Sequence, residues 1–206
     1  MPPGRLITIE GLDGAGKTTL AEGLVRALRE RGIDVELLRE PGGVAASERL
    51  RDLVKDPGVD IGPRAEALIY AAARAQLVEE RVRPLLAEGT WVLLDRFVDS
   101  LVAYQGVARG LGMEDVGALN QFAVGDVAPD RTLLLRIDPA GGRARLGGRG
   151  DAPDRLEGEA DAFFAAVAEG YDRIAEAEPE RVRVIDATAS PERLLELALG
   201  ALGDLL

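Results

Sequence analysis

The residues with the clearest chemical potential come early in the chain. Gly11, Gly16, Lys17 and Thr18 satisfy the spacing G-x-x-x-x-G-K-T, between an apolar run at residues 6–9 and a helix-length segment that begins at Lys17. Glycines so placed let successive backbone N–H groups point inward, and the helix N-terminus adds its dipole. The lysine then reaches the β- and γ-phosphates of a triphosphate, and the threonine hydroxyl serves Mg²⁺. The stretch Gly11, Leu12, Asp13, Gly14, Ala15, Gly16, Lys17, Thr18 and Thr19 therefore reads as a cradle for ATP or GTP. A glycine turn that merely joins strand to helix is the plainer account, yet it needs no lysine. Of the 25 basic residues only Lys17 and Lys55 are lysines, so a lysine in this turn stands out against the chain's own usage.

Two further groupings could act on what the cradle holds. In "WVLLDRFVDSLVAYQG", residues 91–106, Asp95 and Arg96 close an apolar run. Asp95 suits a Mg²⁺-bound water, and Arg96 suits an acceptor phosphate because its fork matches phosphate oxygens. Taken alone, an ion pair at a strand end would account for both. In "LIYAAARAQ", Tyr70 and Arg74 stand four apart and share one helix face, so an aromatic ring and a guanidinium could stack on a base and read its edge.

These residues need a frame. Strand-like runs are expected at residues 6–9, 35–38, 91–94, 132–137 and 182–185, each bounded by glycine, proline or charge. Helical segments are expected at 17–31, 63–88, 113–124, 158–177 and 191–205, two of them with proline near the start and glycine just past the end. Alternation of this kind gives an α/β fold, a mainly parallel five-stranded sheet with helices on both faces. Ligands of such sheets lie at the carboxyl ends of the strands, where the candidate residues fall. The length, 206 residues, suits one domain spanning 1–206. The segment 141–157, "GGRARLGGRGDAPDRLE", is glycine- and arginine-rich, and reads either as a solvated loop or as a cationic lid.

Composition excludes several classes of function. The chain has no cysteine and no histidine, so disulfides, thiolate metal sites and histidine acid–base catalysis are out, and chemistry must run on carboxylates, arginines, hydroxyls, amides and Lys17. A formal charge of −11 argues against nucleic acid as a partner. No apolar run approaches a membrane span and the N-terminus lacks a signal-peptide pattern, so the cytoplasm is the expected location. A guanine-reading asparagine-lysine-x-aspartate motif is missing: the only asparagine, Asn120, precedes Gln121. A switch GTPase is thereby disfavoured, and a small-molecule kinase fits the size.

In order along the chain, "EGLDGAGKTT", "REPGG", "LIYAAARAQ", "DRFVDSLVAYQG", "ARGLG", "LNQFAVGDVAPD", "DRLE" and "VIDA" together resemble the bacterial thymidylate kinase family over nearly the whole length. The resemblance implies a P-loop kinase fold with a short mobile lid at about 141–157. It also implies transfer of the ATP γ-phosphoryl group to dTMP, giving dTDP and ADP, with Mg²⁺ and in a homodimer packed through helices that include 63–88. Carried over position by position, residues 11–19 hold ATP, Lys17, Asp13, Arg96 and Arg149 are catalytic, and Asp13 lies near the sugar 3′-hydroxyl. Thr18 and Asp95 serve the metal. Glu40 and Pro41 floor the acceptor pocket, and Arg51 and Arg96 face the dTMP phosphate. Tyr70 stacks on thymine, Arg74 and Gln105 read its polar edge, Tyr104 crowds C2′, and Ser100 is a further pocket residue. The alternatives are another P-loop kinase for a different nucleoside monophosphate or deoxynucleoside, and a nucleotide sensor without turnover.

Some positions depart from the family pattern. Where some members carry an arginine in the P-loop, this chain has Gly14 and Ala15, so the resemblance hands that role to the lid, to Arg149 first and Arg145 second. Leu101 replaces a usual serine, Ala73 a common aspartate, and Arg136 interrupts the end of the fourth strand.

Overall fold

A computed structural model describes residues 4–146 and 155–206 of the chain. Five strands form one all-parallel sheet in the order β2-β3-β1-β4-β5. They are β1 (Leu6–Gly11), β2 (Val35–Arg39), β3 (Trp91–Asp95), β4 (Arg131–Arg136) and β5 (Val182–Asp186). The central strand β1 is buried along its whole length, as expected of a parallel strand covered on both faces. Side chains that alternate along it feed two apolar clusters. Ile7 and Ile9 join Leu24, Leu133 and Val167, whereas Leu6 joins Leu77, Leu94 and Phe97.

Between the strands run α1 (Lys17–Glu30), α2 (Ala45–Lys55), α3 (Pro63–Leu77), α4 (Arg83–Glu88), α5 (Val98–Leu101), α6 (Met113–Val124), α7 (Pro139–Leu146), α8 (Asp161–Ala177) and α9 (Pro191–Ala201). Pro63 and Pro191 open their helices, the latter capped by Ser190, whose hydroxyl accepts from Arg193 N–H. Gly89, left-handed at φ 88°, ends α4. Among the described residues no helix is long and apolar enough to cross a membrane.

The structure corrects several expected boundaries. Segment 63–88 is not one α-helix: a π-helical stretch, Val78–Val82, separates α3 from α4. A second π stretch, Val102–Ala108, continues α5 and carries Tyr104 and Gln105. Segment 141–157 is not loop throughout, because α7 occupies its first part. The fourth strand is Arg131–Arg136 rather than 132–137, α8 starts at Asp161 rather than 158, and α9 stops at Ala201 rather than 205. At the departures from the family pattern, Ala73 and Leu101 are buried, and Arg136 is exposed and paired with Asp172.

Candidate active site

The turn between β1 and α1 is built from residues that accept unusual backbone angles. Gly14 and Gly16 sit at φ 80° and 96°, and no side chain caps the start of α1. The free N–H groups of that first turn are therefore at the disposal of an anion. Lys17 is buried with its Nζ donating to the carbonyls of Gly11 (3.2 Å) and Leu12 (3.0 Å), and lies 3.6 Å from Asp13 Oδ1. Burial, then the Arg96 charge, lowers the lysine's pKa, and the Asp13 charge opposes both.

Strand register brings the end of β3 next to this turn. Ile9 of β1 pairs with Asp95 of β3, so Asp95 and Arg96 emerge beside the glycine turn. Arg96 is left-handed, φ 68°, and its guanidinium converges on four partners: Asp13 Oδ1 (2.6 Å), Ser100 Oγ (3.1 Å), Tyr104 Oη and Tyr171 Oη (both 3.3 Å). Burial alone would raise the Asp13 pKa, but the charges of Arg96 and Lys17 overcome it and hold this carboxylate well below its usual range.

A single cleft of about 270 Å³ gathers most of the candidates. Asp13, Glu40, Pro41, Arg51, Tyr70, Arg74, Arg96, Ser100, Tyr104 and Gln105 all line it, together with Gly14, Gly16, Lys17, Thr18 and Asp95. Gly14, Ala15, Gly16, Thr19 and Arg145 line a separate hollow on the far side of the glycine turn. There Arg145 donates to the Ala187 carbonyl (3.0 Å). Gly11 and Leu12 border a third hollow. Arg149 lies outside the described residues.

In the same cleft, Arg74 is held almost without freedom. Its Nε donates to Glu40 Oε2 (2.7 Å), Nη1 to Asn120 Oδ1 (2.6 Å) and Nη2 to the Phe97 carbonyl (2.9 Å), with Nη2 also 2.6 Å from Glu40 Oε2. Nη1 carries a second N–H beyond the one that Asn120 takes, and Arg74 lines the cleft. Glu40 Oε1 is buried without a hydrogen-bond partner, and burial raises the Glu40 pKa against the pull of Arg74. Arg51 donates to the Pro41 carbonyl (2.8 Å), joining α2 to the pocket floor.

Thr18 Oγ1 stands 3.4 Å from Asp95 Oδ2, and Asp95 Oδ1 is buried and unpartnered. An unsatisfied carboxylate oxygen beside a phosphate cradle is the donor set expected for Mg²⁺. Among the described residues no group of three or more acidic side chains is placed to hold a metal ion.

Sequence reasoning passed over several residues that shape this site. Glu10 is fully buried and accepts from Phe97 N–H (2.7 Å), Ser100 Oγ (2.5 Å) and Tyr171 Oη (2.9 Å), so it anchors the loop that carries Arg96. A signal was available, since a carboxylate inside an otherwise apolar strand calls for partners. Arg39, Lys55, Leu156 and Glu157 also line the cleft, and Glu66 is buried behind it.

A family model described as thymidylate kinase matches residues 9–197. The chain belongs to the thymidylate kinase family. It is 46% identical over 205 residues to a thymidylate kinase of Halorhodospira halophila, covering 98% of this chain and 95% of that one. Against a thymidylate kinase of Halalkalibacterium halodurans the figures are 47% over 199 residues, 95% and 94%. A crystal structure of thymidylate kinase from Ehrlichia chaffeensis superposes with a TM-score of 0.78 at 31% identity, covering 98% of this chain and 99% of that chain. The fold is thus the α/β P-loop kinase fold, and family membership makes this chain a nucleoside monophosphate kinase.

Proposed function

We propose that this chain transfers the γ-phosphoryl group of ATP to dTMP, giving dTDP and ADP for dTTP synthesis. The observation that carries the reading is one cleft with Lys17 and the glycine turn at one end, Tyr70, Arg74 and Gln105 at the other, and the Asp13–Arg96 pair between them. In this reading the α1 N-terminus and Lys17 hold the β- and γ-phosphates, and Thr19, Arg145 and Arg149 serve the ATP side. Arg96 and Arg51 hold the dTMP phosphate, whose oxygen forms the new bond to phosphorus as the bond to the ADP oxygen breaks. Asp13 takes the sugar 3′-hydroxyl and fixes Arg96. Tyr70 covers the thymine ring, Arg74 and Gln105 meet its edge, Tyr104 excludes a 2′-hydroxyl, and Glu40 and Pro41 form the floor.

Such transfers ask little covalent work of the protein; alignment and neutralised charge supply the rate. Thr18 and Asp95 are the residues that would hold Mg²⁺, whose charge offsets that of the phosphate oxygens. The chain is further read as a cytoplasmic homodimer with no nucleic-acid or membrane partner.

The deciding experiment is an acceptor panel with ATP and Mg²⁺. dTMP is expected to exceed dCMP, AMP and GMP by at least about a hundredfold in kcat/KM. Equal or better turnover of any of the other three refutes the assignment of dTMP, and absence of ADP production with all four leaves a nucleotide sensor as the account.

A further inference from the structure

Next to Gln105 lies a carboxylate that does not itself line the cleft. Glu66, in the first turn of α3, is fully buried. Its Oε1 accepts from Gln105 Nε2 (2.8 Å) and Arg109 Nε (3.1 Å); its Oε2 accepts from Arg109 Nη2 (3.2 Å) and from Arg155 Nη2. Arg155 in turn donates from Nε to the Val54 carbonyl (2.9 Å), and Arg109 pairs with Glu159 (2.7 Å).

We propose that Glu66 is a positioning residue for acceptor selection: by accepting the Gln105 side-chain NH₂, it turns the Gln105 carbonyl oxygen toward the cleft as an acceptor for the N3–H of a pyrimidine-2,4-dione. A carboxylate anion can only accept, whereas a primary amide presents an acceptor at one end and donors at the other. With its NH₂ branch turned to Glu66, Gln105, which lines the cleft, has its carbonyl oxygen on the opposite branch of the amide. Burial by itself would raise the Glu66 pKa, but the hydrogen bonds from Arg109, Gln105 and Arg155 outweigh it and lower the pKa, so the group stays an anion that has no proton to give.

The remaining Arg74 N–H completes the pattern. A donor at Arg74 beside an acceptor at Gln105 matches the O4 and N3–H of thymine and mismatches the N4 amine and bare N3 of cytosine at both points. A site that leaves buried polar groups unpaired against the wrong ligand discriminates far better than one that reads shape alone. Two arginines alone would satisfy a carboxylate whose duty was only to pin helices. The Gln105 contact is the part of the cluster that reaches the cleft.

This inference rests on the proposed dTMP kinase reading, so the wild type is measured first. If it prefers dTMP to dCMP, the ratio of the two kcat/KM values is the readout, and it is independent of the fraction of folded enzyme. Glu66→Gln gives the partner both donors and acceptors and lets the Gln105 amide invert; the ratio is expected to fall about tenfold or more. Glu66→Asp keeps the charge between the arginines but withdraws it from Gln105, and the same fall is expected. In a Gln105→Ala background, Glu66→Gln is expected to cause no further fall, because the two residues act as one. A ratio within twofold of wild type in both single variants, or an additive loss in the double variant, overturns the proposal, and equal losses for both acceptors would reduce Glu66 to a structural role. A wild type without preference for dTMP would instead overturn the functional reading.

Discussion

Among single residues, Glu10 carries a pH signature. Burial, then the Asp99 charge, pushes its pKa up to about 7, against the Ser100 hydroxyl, the Arg96 charge and the Phe97 N–H. An acid whose pKa is higher in the folded state binds more protons there between its unfolded value, 4.5, and about 7. Its contribution to stability is therefore fully present below that window and lost as pH rises through it. The urea midpoint of the wild type is expected to fall from pH 5 to pH 7.5 relative to that of Glu10→Gln, which cannot titrate. Parallel midpoints would show that Glu10 titrates as it does in water. Residue chemistry was legible in the sequence where function demands a rare type in a rare place. Lys17 stood out in a chain nearly free of lysine, and Asp95–Arg96 stood out at a strand end. Glu66 gave no signal, because an acid in a first helical turn is ordinary on a solvated helix; its burial is decided by Arg109 and Arg155, which arrive from distant segments.

Elements were legible where the hydrophobic pattern alone determines them, and the five strands were foreseen to within two residues at each end. The unforeseen pieces have physical reasons. α2 buries only Ser47 and Val54, so its apolar stripe is too thin to announce a helix. α7 contains Gly141 and Gly142, each costing about 1 kcal/mol in a helix interior. Packing explains why that cost is accepted. A Cβ on Gly142 would lie 2.8 Å from the Asp13 carbonyl oxygen, and one on Gly14 would lie 2.2 Å from the Gly142 carbonyl oxygen. The glycine turn and α7 thus meet backbone to backbone, and no side chain fits on the P-loop at position 14 while α7 stays where it is. Gly142→Ala should favour the helix locally but push α7 off the P-loop. Its expected effect is an ATP KM raised about tenfold with dTMP KM little changed, read from steady-state kinetics. An unchanged ATP KM would mean that α7 does not register the phosphate cradle.

Across the whole molecule, charge and apolar surface are unevenly placed. The chain carries −11, yet its cleft is lined by six basic side chains, Lys17, Arg39, Arg51, Lys55, Arg74 and Arg96, against four acidic ones. A locally positive cleft in an acidic body draws phosphorylated small molecules to that one place on the surface. Composition revealed the acidic body; only the folded arrangement reveals the convergence. Apolar exposure is equally local: Phe122 on α6 is 90% exposed and Leu68 on α3 58%, and these helices pack against each other. Side chains of that size left in water are what a two-fold interface covers, each anchor counting twice by symmetry. Because Phe122 makes so little contact within its own protomer, Phe122→Asp should change folding stability by no more than about 0.5 kcal/mol. The same substitution removes a large apolar anchor from both sides of the proposed homodimer and sets two carboxylates in its place. Sedimentation at micromolar concentration is therefore expected to give a dimer for the wild type and a monomer for Phe122→Asp, with thermal midpoints read alongside. A variant that sediments as the wild-type dimer would place the interface on another face of the molecule.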